Sequence, residues 1–297
     1  MNKNIIDGKK IAFKVSQDIK NKIEIMFRDY NMVPGLAVIL IGDNPASISY
    51  VKGKEKACKN VGIFTQTFKM PAESNFESIS KLILSLNANK RFHGILLQLP
   101  LPKHLDSEKL IELIDPQKDV DGITSQNAGL LLLGNPRFVP ATPLGIQRML
   151  LEENIKIDGA KILVIGRSNL VGLPLSILLL QRKEGGNATV TVAHTRTKNI
   201  KELSLDSDII IVASGVPNTL SGAMVNKGSI VIDVGVSRKP DQTKKTGYKL
   251  VGDVDFDEVS QIVSKITPVP GGVGPMTIAM LLNNVYLATT FSLKKAN

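Results

Sequence analysis

Cysteine occurs once in 297 residues, at Cys58, and tryptophan not at all. A single cysteine excludes an internal disulfide framework and suits a reducing compartment, so a cytoplasmic protein is expected. Histidine is scarce as well, with three residues in all. His93, His104 and His194 lie too far apart for a structural zinc site, and no metal is expected. No uninterrupted apolar run approaches the roughly 20 residues that span a bilayer. Residues 1–20 alternate charged and apolar side chains without a signal-peptide core, so no membrane partner is expected either. Aromatic residues make up only 4% of the chain, which leaves few platforms for stacking nucleic-acid bases. The net charge of +10 is spread along the chain instead of gathered on a recognition helix. It fits an attraction for anionic small molecules as well, and no nucleic-acid partner is expected.

What is present is concentrated in Lys161–Leu180, KILVIGRSNLVGLPLSILLL. An apolar run meets Gly166, Ser168 and Gly172, and apolar residues at helical spacing follow. This is the strand, tight turn and helix plan of a dinucleotide-binding βαβ unit. Gly166 lets the chain reverse, and the small Ser168 lets backbone N–H groups approach a pyrophosphate at the positive end of the next helix. The spacing is G-x-S-x-x-x-G, so an ordinary strand-to-helix turn also fits this segment taken alone. The next predicted strand, 188–193, ends in His194-Thr195-Arg196-Thr197. A site preferring NAD places a carboxylate there to hold the ribose hydroxyls. Hydroxyls and a cation suit a 2′-phosphate instead, and Arg167 offers a second guanidinium fork. NADP is therefore the expected cofactor, although Arg196 and Lys198 fit equally as solvated loop charges.

The chain is long enough for two domains, each with its own core. In the first half, helical patterns at Gly8–Met26, Ser47–Val61 and Asn75–Leu86 alternate with extended ones at Gly35–Ile41, Ile63–Phe68 and Gly94–Leu99. That order argues for an open, mostly parallel sheet. Residues 118–134 show little periodicity and read as loop. Thr142-Pro143 reads as an N-cap and first helical position, opening a helix to Leu151. Predicted strands near 161–166, 188–193, 208–213 and 229–234 form the second half. An apolar helix over Ile278–Leu293 has no place in that sheet and is expected to return to the first domain. The fold class is thus α/β in two domains with a cleft between them: residues 1–142, completed by the helix 275–297, and a Rossmann domain over 143–274.

Three segments carry candidate chemistry. Tyr50, Lys54, Ala57 and Val61 share one helical stripe, with Lys52, Lys56 and Lys59 mainly on the other side. Lys54 therefore stands on the less polar face, four residues from an aromatic ring. On this helix alone, a lysine whose stem packs and whose ammonium reaches water is the better reading. A functional lysine would need its pKa lowered from about 10.4 to near 7, which costs on the order of 4–5 kcal/mol. Gln98 is a lone polar side chain in an apolar strand and needs a partner if buried. In Lys118-Asp119-Val120-Asp121-Gly122, the two carboxylates alternate across an extended segment. One can pair with Lys118 and leave the other for a ligand; loop residues without such a role fit as well.

At these residues the sequence resembles the bifunctional methylenetetrahydrofolate dehydrogenase/cyclohydrolase family over nearly its whole length. The motifs are IIDGKKIA, YVKGKEKAC, GILLQLPLP, KDVDG, GRSNLVGLP and PVPGGVGPMT, in order along the chain. The resemblance implies that Tyr50 stacks on the folate ring system and that Lys54 is the catalytic lysine. Gln98 would tune Lys54, Asp121 would hydrogen-bond the pterin, and Ser47 is a further polar position near the lysine. Gly166, Arg167 and Ser168 would bind NADP, with Thr195 near its 2′-phosphate and Ile232 near its adenine or nicotinamide half. The Pro270–Pro275 loop, with Gly271 and Gly272, would border the tetrahydrofolate substrate. A homodimer is implied, as is a cytoplasmic role in one-carbon supply for purine, methionine and formyl-methionyl-tRNA synthesis. Ala141 and Thr195 depart from the residues frequent in the family. A shikimate-dehydrogenase-like NADP enzyme is the alternative among enzymes; a dinucleotide-binding regulatory or nucleic-acid-binding module is the alternative outside them.

Overall fold

A computed structural model describes residues 4–243 and 247–296. The chain divides into two units: Phe13–Ala141 with the chain from Ile278 onward, here the N-terminal unit, and residues through Ala12 with Thr142–Thr277, the C-terminal unit.

The N-terminal unit follows α1 (Gly8–Tyr30), β1 (Gly35–Ile41), α2 (Pro45–Val61), β2 (Phe64–Met70), α3 (Phe76–Ala88), β3 (Gly94–Leu97), α4 (Ser107–Glu112) and α5 (Ser125–Leu132). Its sheet has the order β2-β1-β3, all parallel. Every residue of the central strand β1 is buried, as expected when both faces of a parallel strand are covered. Ala37, Ile39 and Ile41 point to one face and join Ile79, Ile83 and Leu86 of α3 and Leu110 of α4 in one core. Helix α2 starts cleanly because the Asn44 side chain accepts from Ala46 N and Ser47 N and Pro45 occupies the first turn. It stops at Gly62, which takes the left-handed conformation at φ 85°.

The C-terminal unit follows α6 (Ala141–Glu152), β4 (Lys161–Ile165), α7 (Gly172–Leu180), β5 (Thr189–Ala193), α8 (Ile200–Leu205), β6 (Ile209–Val212) and β7 (Ile230–Asp233). Then come β8 (Ser237–Pro240), β9 (Tyr248–Val251), α9 (Phe256–Val259), β10 (Lys265–Ile266) and the first turn of α10 (Val273–Ala296), a helix that belongs to the N-terminal unit from Ile278 onward. Its five-stranded sheet has the order β10-β7-β6-β4-β5 and is parallel throughout. Strand order reverses between β4 and β6, so the crevice beyond their carboxyl ends is the ligand position of such a sheet. Strands β8 and β9 form an antiparallel hairpin outside it.

Several expectations need correction. The first domain is expected to include the start of the chain, yet the described residues through Ala12 belong to the C-terminal unit. Ile5 bridges Ile266 in parallel, and Ile6 N donates to Ile266 O at 2.9 Å, so the start of the chain extends the β10 edge. Thr142 is no N-cap: it lies inside α6, and its hydroxyl meets that of Thr277 at 2.9 Å. The supposed loop 118–134 contains α5, capped by Thr124, whose hydroxyl accepts from Asn127 N.

Helix α10 is also longer than expected, and over Val273–Lys294 it is apolar and long enough by composition to cross a bilayer, with half of that window buried. One polar side chain in it has a structural explanation. Asn284 is fully buried and donates through Nδ2 to Val120 O at 2.8 Å and Val139 O at 2.9 Å. The helix thereby ties down the backbone on the N-terminal side of Asp121.

Candidate active site

Tyr50 and Lys54 project from α2, Gln98 follows β3, and Asp121 follows the segment that bridges Ile95 through Asp119. The parallel sheet brings these together although 71 positions separate Tyr50 from Asp121 in the chain. The Lys54 ammonium donates to Gln98 Oε1 at 3.0 Å, and Gln98 Nε2 donates to Leu99 O at 2.6 Å. The lone polar side chain of the strand thus has its partner, and its amide is oriented by the backbone beyond it. Burial holds the Lys54 amine below the ordinary lysine range, while the charges of Asp121 and Cys58 act the other way. Burial pushes the Asp121 carboxyl up to about 6, opposed by Lys54 and reinforced by Asp119. Lys54 is therefore a part-buried lysine whose head group is held by Gln98. Tyr50, half exposed at 50%, presents open ring surface beside it. Ser47 is buried on the same helix, one turn earlier.

The two carboxylates of the acidic turn have separate tasks. Asp119, 1% exposed, accepts at Oδ2 from Thr124 N, Thr124 Oγ1 and Asn127 Nδ2, each at 2.8 Å. Neither carboxylate has the expected pairing with Lys118. Its ammonium instead donates to Leu86 O and Asn89 O at the C-terminal end of α3, where a cation offsets the helix dipole. Asp119 fixes the turn, and Asp121 is the carboxylate left near Lys54.

In the C-terminal unit, Gly166 closes β4 at φ 125°. A Cβ there would collide with the Ala213 carbonyl beyond β6, and one on Gly172 would collide with the Gly166 carbonyl. The backbone thus packs at the switch point as closely as a cradle for a pyrophosphate requires. Ser168 Oγ accepts from Val171 N at 3.2 Å ahead of α7, and Arg167, Ser168 and Thr195 are exposed. These features fit a bound dinucleotide with a 2′-phosphate.

Two expected contacts fare differently. Ile232 is fully buried within β7, opposite Ile211, and its side chain offers no surface to a ligand. Val216 and Val236, exposed at 58% and 45% beyond β6 and β7, are the apolar surfaces at that edge. Pro270 is exposed, but Gly272 is buried with its carbonyl against Gly8, and Lys9 N donates to Gly271 O at 3.1 Å. Gly272 closes the loop and gives a ligand no side-chain surface. The glycines at 185 and 186 connect α7 to β5 at the amino ends of the strands, whereas Gly166 lies at the carboxyl ends, and Gly185 O accepts from Gln147 Nε2 at 2.7 Å.

An α/β protein with a dinucleotide cradle in one unit and a buried lysine beside a carboxyl in the other belongs among pyridine-nucleotide enzymes. Comparison with known proteins narrows the class. The profile of the tetrahydrofolate dehydrogenase/cyclohydrolase catalytic domain matches residues 6–121, and that of the family's NAD(P)-binding domain matches residues 140–293. The bifunctional protein FolD of a Nitratiruptor species is 48% identical over 284 residues, covering 96% of this chain and 97% of its own. The crystal structure of FolD from Campylobacter jejuni superposes with a TM-score of 0.90 at 43% identity, covering 97% of this chain and 99% of that one. The Trypanosoma brucei N5,N10-methylenetetrahydrofolate dehydrogenase-cyclohydrolase, complexed with NADP cofactor and inhibitor, superposes at 0.93 with 35% identity and 98% of each chain covered. The chain belongs to the tetrahydrofolate dehydrogenase/cyclohydrolase family.

The raised Asp121 pKa has a consequence for stability. In the unfolded chain the carboxyl ionises near its ordinary 3.8, in the folded protein near 6. Its favourable contribution is therefore complete below the lower value and lost as pH rises through the upper one, a difference of roughly 3 kcal/mol. Asp121→Asn is expected to raise the urea midpoint at pH 8 and to leave it nearly unchanged at pH 3.5. Equal effects at the two pH values would contradict this account.

Proposed function

We propose that this protein oxidises 5,10-methylenetetrahydrofolate to the 5,10-methenyl form with NADP and hydrolyses that product to 10-formyltetrahydrofolate. The observation that carries this reading is the buried Lys54 amine, held on Gln98 and depressed in basicity, in a chain of this family. In the substrate a CH₂ group bridges two nitrogens whose lone pairs can expel hydride and share the resulting cation. This step needs alignment more than acid–base help. Bound NADP supplies the hydride acceptor. Gly166, Arg167 and Ser168 would hold its pyrophosphate side, and Arg167 and Thr195 its 2′-phosphate.

On the folate side, Tyr50 offers a ring face to the pterin and Asp121 accepts its N–H donors. Hydrolysis makes the stronger demand on the protein. Water adds to the cationic methenyl carbon and must lose a proton, which the neutral Lys54 amine accepts. The carbon then parts from one ring nitrogen, which takes a proton back from Lys54. Of the two water protons, one ends on that nitrogen and the other is released. The positive charge on the substrate itself disfavours protonation of Lys54, and burial acts in the same direction. The exposed Pro270 and neighbouring Gly271 would border the substrate.

A homodimer is part of the proposal. Strand β2 is an edge strand whose outer side has no strand partner among the described residues, and Phe64 on it is 37% exposed. Such an edge is a template for a second copy. A role in cytoplasmic one-carbon supply for purine, methionine and formyl-methionyl-tRNA synthesis goes with the two activities.

Lys54→Met is expected to lower hydrolysis of methenyl substrate by at least about 100-fold while leaving NADP affinity intact. Retained hydrolysis in the purified variant, followed by loss of methenyl absorbance, would remove Lys54 from the mechanism. Arg167→Ala should raise KM for NADP about tenfold or more and KM for NAD far less; a uniform rise would speak against 2′-phosphate recognition. Sedimentation equilibrium should return twice the chain mass of 32.2 kDa, and a mass of one chain would end the dimer proposal.

A further inference from the structure

Two buried aspartates in the C-terminal unit take no part in the chemistry above. Asp233 ends β7 and Asp253 follows β9, at 2% and 0% exposure. They interlock: a Cβ on Gly252 would collide with the Asp233 carboxylate, and one on Gly235 would collide with that of Asp253. Asp233 Oδ1 accepts from Gly235 N at 3.1 Å and Asp253 N at 2.9 Å, and its Oδ2 accepts from Val254 N at 3.1 Å. Asp253 Oδ2 accepts from Gly215 N at 2.7 Å and Ser214 Oγ at 3.0 Å, while its Oδ1 is buried without a hydrogen-bond partner.

Adjacent buried carboxyls are a poor way to gain stability. Burial, reinforced by the neighbouring Asp253, pushes the Asp233 carboxyl up to about 6 against the backbone N–H bonds that it accepts. Apolar residues of similar volume would serve a core at least as well. What the pair does is fix backbone. Through Ser214 and Gly215 it sets the turn leaving β6, where Ser214 Oγ also accepts from Val216 N at 3.1 Å and meets Thr219 Oγ1 at 2.8 Å. Through Gly235 N it sets the turn leaving β7. These turns carry the exposed Val216 and Val236, and the first begins at Ala213, whose carbonyl faces Gly166 across the switch point.

We propose that Asp253, interlocked with Asp233, is a positioning residue for dinucleotide binding, holding the far wall of the crevice that Gly166 opens. It acts on NADP affinity and not on hydrolysis, which needs no dinucleotide. The inference rests on the NADP-dependent reading above, and the test separates the two. Calorimetric titration with NADP requires no turnover, and hydrolysis of methenyl substrate reports on the other unit. Asp253→Ala is expected to weaken NADP binding about tenfold or more and to leave hydrolysis within about twofold. Asp253→Asn keeps an oxygen acceptor for Gly215 N and Ser214 Oγ and should restore affinity to within about threefold. Ser214→Ala, which leaves the carboxyl pair in place, should weaken NADP by a few-fold and decides the matter if Asp253→Ala does not fold. Unchanged affinity in the variants that fold, or hydrolysis falling in step with affinity, would overturn the proposal. Wild-type protein that binds NADP but does not oxidise methylenetetrahydrofolate would instead refute the function and leave the positioning role standing.

Discussion

Withdrawal of the Lys54 amine from water is the constraint around which the N-terminal unit is organised. A lysine resists burial because its ammonium loses hydration, and the protein must supply partners that orient it without restoring its full basicity. Gln98 does this as a neutral acceptor, itself held by the Leu99 carbonyl. An anionic acceptor in its place would favour the ammonium and remove the base that hydrolysis needs. Asp121 stands close enough to act on Lys54, but its own burial weakens it as an anion below about pH 6. Each group therefore limits the ionisation of the other's surroundings, and small displacements of the acidic turn would alter both.

That turn is accordingly over-determined. Three donors converge on one oxygen of Asp119, Asn284 draws in the Val120 and Val139 carbonyls from α10, and Lys118 spans to the end of α3. Only Asp121 is left without such a structural task. The C-terminal unit repeats the device at its own ligand edge, where Asp233 and Asp253 accept backbone N–H groups from the segments that follow β6, β7 and β9. In both units, buried carboxylates fix loops that regular secondary structure does not reach, next to the surfaces where ligands are expected.

Much of this was legible in the chain. Strand β1 has the limits that its apolar run predicts, and α2, α3 and the four principal strands of the second sheet lie within a few residues of theirs, because apolar periodicity and caps are local signals. The Gly166 turn was found for the same reason. What escaped depends on distant partners. Helix α5 has weak amphipathicity and is held through the Thr124 and Asn127 contacts to Asp119. The β8–β9 hairpin lies outside both sheets, and its pairing is set by chain return. Burial of the Ile232 side chain follows from its place inside β7, which leaves only its backbone to meet a ligand.

The sequence by itself determined the βαβ order, the dinucleotide turn and the motif set that marks the family, since these depend on residue type and short-range spacing. Only the tertiary structure decided which carboxylate faces Lys54, where Lys118 goes and to which unit the described residues before Phe13 belong. Those outcomes follow from burial and from hydrogen bonds between segments tens of residues apart, and neither desolvation nor a distant acceptor leaves a trace in local sequence.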